Sequence, residues 1–264
     1  MKGYEVYHMN CVDGMKKMKP NVIDLTVTSP PYDNLRDYKG YEFDFKNIAD
    51  ELYRVTKKGG VVVWVVGDAT IDSSETGTSF KQALYFKDIG FKLYDTMIYK
   101  KANIPVPSHS RYNQVFEYMF VFSKGKPKTF NPIKDRKNKT EGSVEKSKFR
   151  QKNGEIKKVD ALRKTDAFGM RTNIWEYMPG SCHSGKDKYI KKHPAVFPEK
   201  LVEDHIKSWS NKGDIVLDPM CGSGTTLVVA NYLERKWVGF DISEEYVKLA
   251  KKRLKSRPLV SKWI

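Results

Sequence analysis

The stretch DIVLDPMCGSGTTLVVANYLERKWVGFDIS, residues 214–243, constrains the fold more than any other part of the chain. An apolar run of strand character leads into a glycine-containing turn, then a helix, then a second strand that closes on an acid. Gly222 and Gly224 let the backbone turn tightly and approach a ligand, while Ser223, Thr225 and Thr226 suit the start of a helix. Asp241 lies 19 residues after Gly222, where a carboxylate can take both hydroxyls of a ribose. No Lys follows the glycines, so this is not a phosphate cradle of the P-loop type, and a nucleoside without phosphates is favoured over ATP or NAD. S-adenosyl-L-methionine fits, with its ribose on Asp241 and its amino acid end near the glycine turn.

The rest of the chain repeats the alternation. YEVYHM and VIDLTV read as strands, IADELYRVTKKGG as a helix with a glycine stop, and VVVWVVGD as a strand. FKQALYFKDIG predicts a helix ending at Gly90, FKLYDTMIY and FEYMFVFSKG strands, PEKLVEDHIKSWS a helix and EEYVKLAKKRLK a last helix. Strands alternating with helices indicate an α/β class with a mostly parallel sheet. Composition shifts between Lys124 and Lys192, where 20 Lys or Arg face 8 Asp or Glu and hold most of the chain's net charge of +16. The middle of this segment has almost no apolar periodicity and reads as a mobile basic loop or small lobe. Such an excess points to a polyanionic partner.

Other classes are disfavoured. No run approaches the ~20 apolar residues of a membrane span, and MKGYEVYHMN lacks a signal-peptide core, so a cytoplasmic protein without a membrane partner is expected. Cys11, Cys182 and Cys221 are odd in number and far apart, and the five histidines show no HExxH pairing. Neither a disulfide framework nor a metal site is expected.

TSPPY, residues 28–32, ends the second strand with a hydroxyl, two prolines and an aromatic ring. Pro30 and Pro31 cannot donate to a ladder, so the strand stops and its last carbonyls need other partners. TSPPY near the beginning and DPMCGSGTT near the end resemble the β-class amino-methyltransferases of DNA, which run from catalytic motif through target-recognition region to cofactor motif. GGVVVWVVGD (59–68), RYNQVFEYMFVFSKG (111–125) and HPAVFPEKLVEDHI (193–206) resemble further family segments in the expected order. The resemblance implies a Rossmann-like seven-stranded methyltransferase sheet whose halves are exchanged in sequence. Residues 1–125 would be the catalytic half, 126–192 the basic target-recognition region and 193–264 the cofactor-binding half.

It also implies roles. An exocyclic amine of a base is a poor nucleophile because its lone pair is delocalised into the ring. Accepting hydrogen bonds from both of its N–H groups favours a pyramidal nitrogen, and the acceptors would be Ser29 Oγ and the Pro30 carbonyl, with Pro31 shaping the turn. Tyr32 would stack on a base flipped out of the duplex. Cofactor contacts would come from Asn10, Cys11, His193, Pro194, Phe197, Pro198, Asp218, Met220, Gly222, Ser223, Gly224, Thr225 and Asp241. Met220 stands where the family has Phe, and HMNCVDG replaces its usual Gly-Asp. Cys221 reads as a packed small residue, and Asp33 and Asp37 as surface turn residues. Ser at the head of SPPY is typical of cytosine-N4 methylation in the family and Asp of adenine-N6. The resemblance also admits a homodimer and a cognate restriction endonuclease as partners beside double-stranded DNA. An RNA or small-molecule methyltransferase and a catalytically idle DNA-binding regulator are the competing readings; the basic segment speaks against a small substrate, the order of the motifs against RNA, and the intact SPPY against an idle regulator.

Overall fold

Val61 to Val66 are all buried, a run that a strand achieves only at the centre of a sheet covered on both faces. The computed structural model describes residues 4–31, 43–103, 111–179 and 197–256, except the side chains of 145–149 and 158–163. In chain order its elements are β1 (Glu5–His8), α1 (Cys11–Lys16), β2 (Ile23–Thr28), α2 (Phe45–Val55), β3 (Thr56–Val66), β4 (Thr70–Ile71), β5 (Ser74–Glu75), α3 (Thr78–Asp88), β6 (Lys92–Lys101), β7 (Phe116–Ser123), β8 (Lys134–Lys137), β9 (Val144–Arg150), β10 (Ile156–Lys164), β11 (Phe168–Met170), β12 (Ile174–Tyr177), α4 (Glu199–Trp209), β13 (Ile215–Asp218), α5 (Thr225–Tyr232), β14 (Lys236–Asp241) and α6 (Glu244–Ser256).

The main sheet runs β1-β14-β13-β2-β3-β7-β6-β12. Neighbours are parallel except β7, which is antiparallel to both β3 and β6. The seven strands implied by the resemblance are present, and β12 adds an eighth beside β6. α1, α2 and α3 cover one face and α4, α5 and α6 the other. Strand residues alternate between the layers: Val62, Trp64, Val66, Phe120 and Phe122 enter the core under α1 to α3, while Val61, Val63 and Met119 are buried on the opposite side. Phe86 stacks on Phe122 with ring centroids 4.5 Å apart.

One helix differs from the pattern-based expectation. α2 stops at Val55, and Thr56 to Gly60 extend β3 instead of continuing the helix to its glycines. Thr56 is extended and pairs with Ile23, and Lys57 Nζ reaches both carboxylate oxygens of Asp24 at 2.7 Å. A strand pairing and an ion pair therefore outweigh the helix propensity of two lysines, which is worth only tenths of a kcal/mol, roughly, per residue.

The chain divides into two compact units, the first joining everything up to Asn131 with the part from Asn173 onward, the second being Pro132–Thr172. The second unit, from the segment that reads as a loop or lobe, holds two antiparallel pairs, β9 with β10 and β8 with β11. Thr165 N–H donates to Ser143 O at 2.9 Å and the Arg171 guanidinium pairs with Asp135. Among the described residues no helix is long and apolar enough to cross a membrane.

Candidate active site

Four parallel strands, β1, β14, β13 and β2, deliver their carboxyl ends to one edge of the sheet. The chain proceeds from β13 outward to β14 and from β2 outward to β3, so the order reverses between β13 and β2. Ligands of open α/β sheets bind at such a reversal. The turn after β2 is Ser29-Pro30-Pro31, and that after β13 is Pro219 to Gly224. The two sequence motifs, almost two hundred residues apart, thus emerge from adjacent strands.

Two bonds lock them together. Thr28 Oγ1 donates to the Asp218 carboxylate at 2.9 Å, and Thr226 Oγ1 donates to Val27 O at 3.2 Å. The second gives one of the carbonyls at the end of β2 its partner. Asp218, only 5% exposed, also accepts from Met220 N–H at 3.2 Å and so fixes the first turn of the glycine loop. Burial raises its pKa to about 6, although the Thr28 hydroxyl and the Met220 amide favour its charged form. The folded protein therefore holds a proton between about pH 4 and 6 that the unfolded chain has lost. Stability is expected to decline across that window by up to ~3 kcal/mol on account of this group. In urea titrations from pH 4 to 7, Asp218→Asn should flatten the decline, and an unchanged slope would assign it to other groups.

Asp241 closes β14 and is half-buried. Its Oδ2 accepts from Gly222 N–H and its Oδ1 from Ser243 N–H, both at 2.8 Å. Burial raises its pKa and those two amides oppose the rise. Each carboxylate oxygen retains a lone pair, enough for two vicinal hydroxyls. Beside it, Met9 N–H donates to Asp241 O at 3.0 Å, which sets Asn10 and Cys11 next to the acid. Asn10 Oδ1 accepts from Val12 N–H at 2.8 Å and caps α1. Cys11 is buried, its thiol pushed up to about 12 by burial. The Cys221 thiol is raised too, so both remain protonated at neutral pH.

Gly224 has φ +78°, and a Cβ there would stand 2.7 Å from Ala250 Cβ, so glycine is required twice over. Ser223 and Thr225 are 4% exposed, and their hydroxyls accept from the buried Arg253 at 3.0 Å each. The polar side chains of the glycine turn thus brace it from behind; what they can offer a ligand is backbone. Met220 is half-buried and packs against the core. Ser29 and Pro31 are half-buried and Pro30 is buried. Phe197 and Pro198 precede α4, Pro198 standing at its N-cap. Tyr32, Asp33, Asp37, Cys182, His193 and Pro194 lie outside the described residues. No grouping of His, Cys, Asp and Glu among the described residues could hold a metal ion.

The motifs gave Thr28 and Thr226 no part in joining the two turns, and they did not include Arg253. Arg253 had a signal: it falls on the apolar stripe of α6 with Val247 and Ala250, where an arginine implies a buried charge with a partner.

The chain is similar to known proteins over most of its length. The family model N6_N4_Mtase, described as DNA methylase, matches residues 23–252. The orphan methyltransferase M.BamHII of Bacillus amyloliquefaciens is 55% identical over 251 residues, covering 93% of this chain and 95% of its own. Among solved structures, PvuII DNA methyltransferase (cytosine-N4-specific) superposes with a TM-score of 0.70 at 19% identity, over 96% of this chain and 86% of that one. The M1.HpyAVI–SAM complex gives 0.63 at 24% identity, over 95% and 99%.

Proposed function

Because the chain belongs to the N6/N4 family of DNA methylases, we propose that it transfers a methyl group from S-adenosyl-L-methionine to the exocyclic N4 of a cytosine flipped out of double-stranded DNA. The observation that carries the reading is the adjacency of the proline turn after β2 and the glycine turn after β13, joined by the 2.9 Å bond from Thr28 to Asp218. S-adenosyl-L-methionine supplies an electrophilic methyl group: the N–CH3 bond forms as the S–CH3 bond breaks, S-adenosyl-L-homocysteine leaves, and the amine's surplus proton passes to water. Asp241 holds the ribose hydroxyls, and the backbone at Gly222 and Gly224 lets the amino acid end approach closely. Phe197 and Pro198 flank that end, together with His193 and Pro194, and Asn10, Cys11 and Met220 line the adenine side. On the other side of the crevice, Ser29 Oγ and the Pro30 carbonyl accept the two N–H bonds of the base and aim its lone pair, while Tyr32 stacks on the ring. Positioning and electrostatics account for the rate, without a covalent intermediate on the protein. Both cysteine thiols of the cofactor edge stay protonated, in keeping with that.

Ser29, at the head of the tetrad, supports cytosine over adenine. Label from S-adenosyl-L-methionine should enter duplex DNA, and nucleoside analysis should reveal N4-methylcytosine. N6-methyladenine alone would replace the base, and no incorporation into any DNA would sink the reading.

The lobe 132–172, with 13 Lys or Arg against 6 acids, is the natural reader of the duplex, placing cations on phosphates and a few side chains at base edges. DNA affinity should then fall at least about tenfold between roughly 50 and 200 mM salt. Glutamate at the exposed Arg150, Lys152, Lys157 and Lys164 should flatten that response, and a slope unmoved by these changes would place the phosphate contacts elsewhere.

A further inference from the structure

Behind the glycine turn lies a buried charge, Arg253. It sits in the last helix, 30 residues past Ser223, and its side chain is fully buried. Nη1 donates to three oxygens of the glycine turn: Ser223 O at 2.8 Å, Ser223 Oγ at 3.0 Å and Thr225 Oγ1 at 3.0 Å. Nη2 donates to Glu199 Oε1 at 3.1 Å, and Glu199 is the first residue of α4, directly after Phe197-Pro198. One guanidinium therefore spans both segments assigned to the amino acid end of the cofactor. Three residues back on α6, Ala250 closes against Gly224 and fixes how near the helix and the turn can lie.

We propose that Arg253 is a positioning residue for the methyl donor, a latch that sets the spacing between the glycine turn and the Phe197-Pro198 segment. The inference rests on the cofactor reading above. A guanidinium suits the task because it is planar, always charged and able to donate in two directions at once. Lysine can satisfy the turn or Glu199 but cannot span both with a fixed fork. Arg253 touches neither cofactor nor base in this assignment, so its loss should loosen binding and leave the chemical step intact.

The test is the affinity for S-adenosyl-L-methionine measured by calorimetry on the full chain, with steady-state kinetics alongside. Arg253→Lys should raise Kd and KM for the methyl donor about tenfold to fiftyfold, and Glu199→Gln about threefold to tenfold. KM for DNA, and kcat at saturating donor, should stay within about threefold of wild type. Phe122→Leu, a core change on the opposite face of the sheet, controls for lost stability: at a matched drop in Tm it should leave Kd unmoved. The latch is overturned if Arg253→Lys binds as tightly as that control, or if kcat at saturation falls as far as affinity does. If Arg253→Lys proves too unstable to measure, Glu199→Gln decides by the same criteria. A wild-type chain that binds no S-adenosyl-L-methionine would instead overturn the cofactor reading, and the latch with it.

Discussion

Ser29→Ala is expected to lower the rate of methyl transfer by about a hundredfold or more while leaving the affinity for S-adenosyl-L-methionine within a fewfold of wild type. The target nitrogen has its lone pair drawn into the ring, and accepting hydrogen bonds from both of its N–H groups is what the proline turn contributes. Removing one acceptor leaves the Pro30 carbonyl to hold a planar amine, with the barrier raised by a large part of one preorganised interaction. The turn itself should survive, because its position is set one residue earlier by Thr28 on Asp218 and by Thr226 on Val27 O. Single-turnover transfer at saturating DNA and methyl donor isolates the chemical step. Loss of donor affinity ahead of rate would move Ser29 from the base to the cofactor.

Asp241→Ala should do the reverse, raising Kd for the methyl donor about a hundredfold with a far smaller change in the single-turnover rate at saturation. A carboxylate on two hydroxyls makes charge-assisted bonds of about 1.5–3 kcal/mol each, enough together for that loss. Asp241 also receives the amides of Gly222 and Ser243, so alanine releases the two loops that frame the site. Asp241→Asn separates the effects, since its amide oxygen can still take one of those N–H groups but its charge is gone. Equilibrium binding of the three proteins should rank wild type, Asn, Ala. An alanine variant that binds normally would refute the ribose assignment.

Much of this site was legible in the sequence for a physical reason: a turn that must bend tightly needs glycine, and a strand that must stop and present its carbonyl is well served by proline. Both leave marks in a few consecutive residues. The alternation of apolar runs and amphipathic stretches likewise announced the sheet. What escaped depends on contacts between distant residues. Thr56 to Gly60 belong to β3 because Asp24 and Ile23 wait there, and nothing within KKGG reports that. Thr28 reads only as the first residue of TSPPY until β13 brings Asp218 beside it. Ser223 and Thr225 read as ligands of a cofactor, yet their hydroxyls point to an arginine about thirty residues away. The basic lobe shows almost no apolar periodicity, yet it forms two antiparallel pairs held by backbone ladders that no local pattern announces.

The pairing of β2 with β13 has a bearing on how the protein is made. Thr28 must wait 190 residues for Asp218, and Asp24 191 residues for the amide of Ile215. At ribosomal speed that is roughly ten to forty seconds. Over the second half of that wait, once β7 has been made, β3, β6 and β7 can already be paired while β2 presents an open edge of the kind that recruits strands from other chains. Contacts this distant in sequence also form slowly once they can. Yield of active protein should therefore be governed by events on the ribosome, and lower temperature or a chaperone that shields the β2 edge should raise it more than any substitution that stabilises the finished fold.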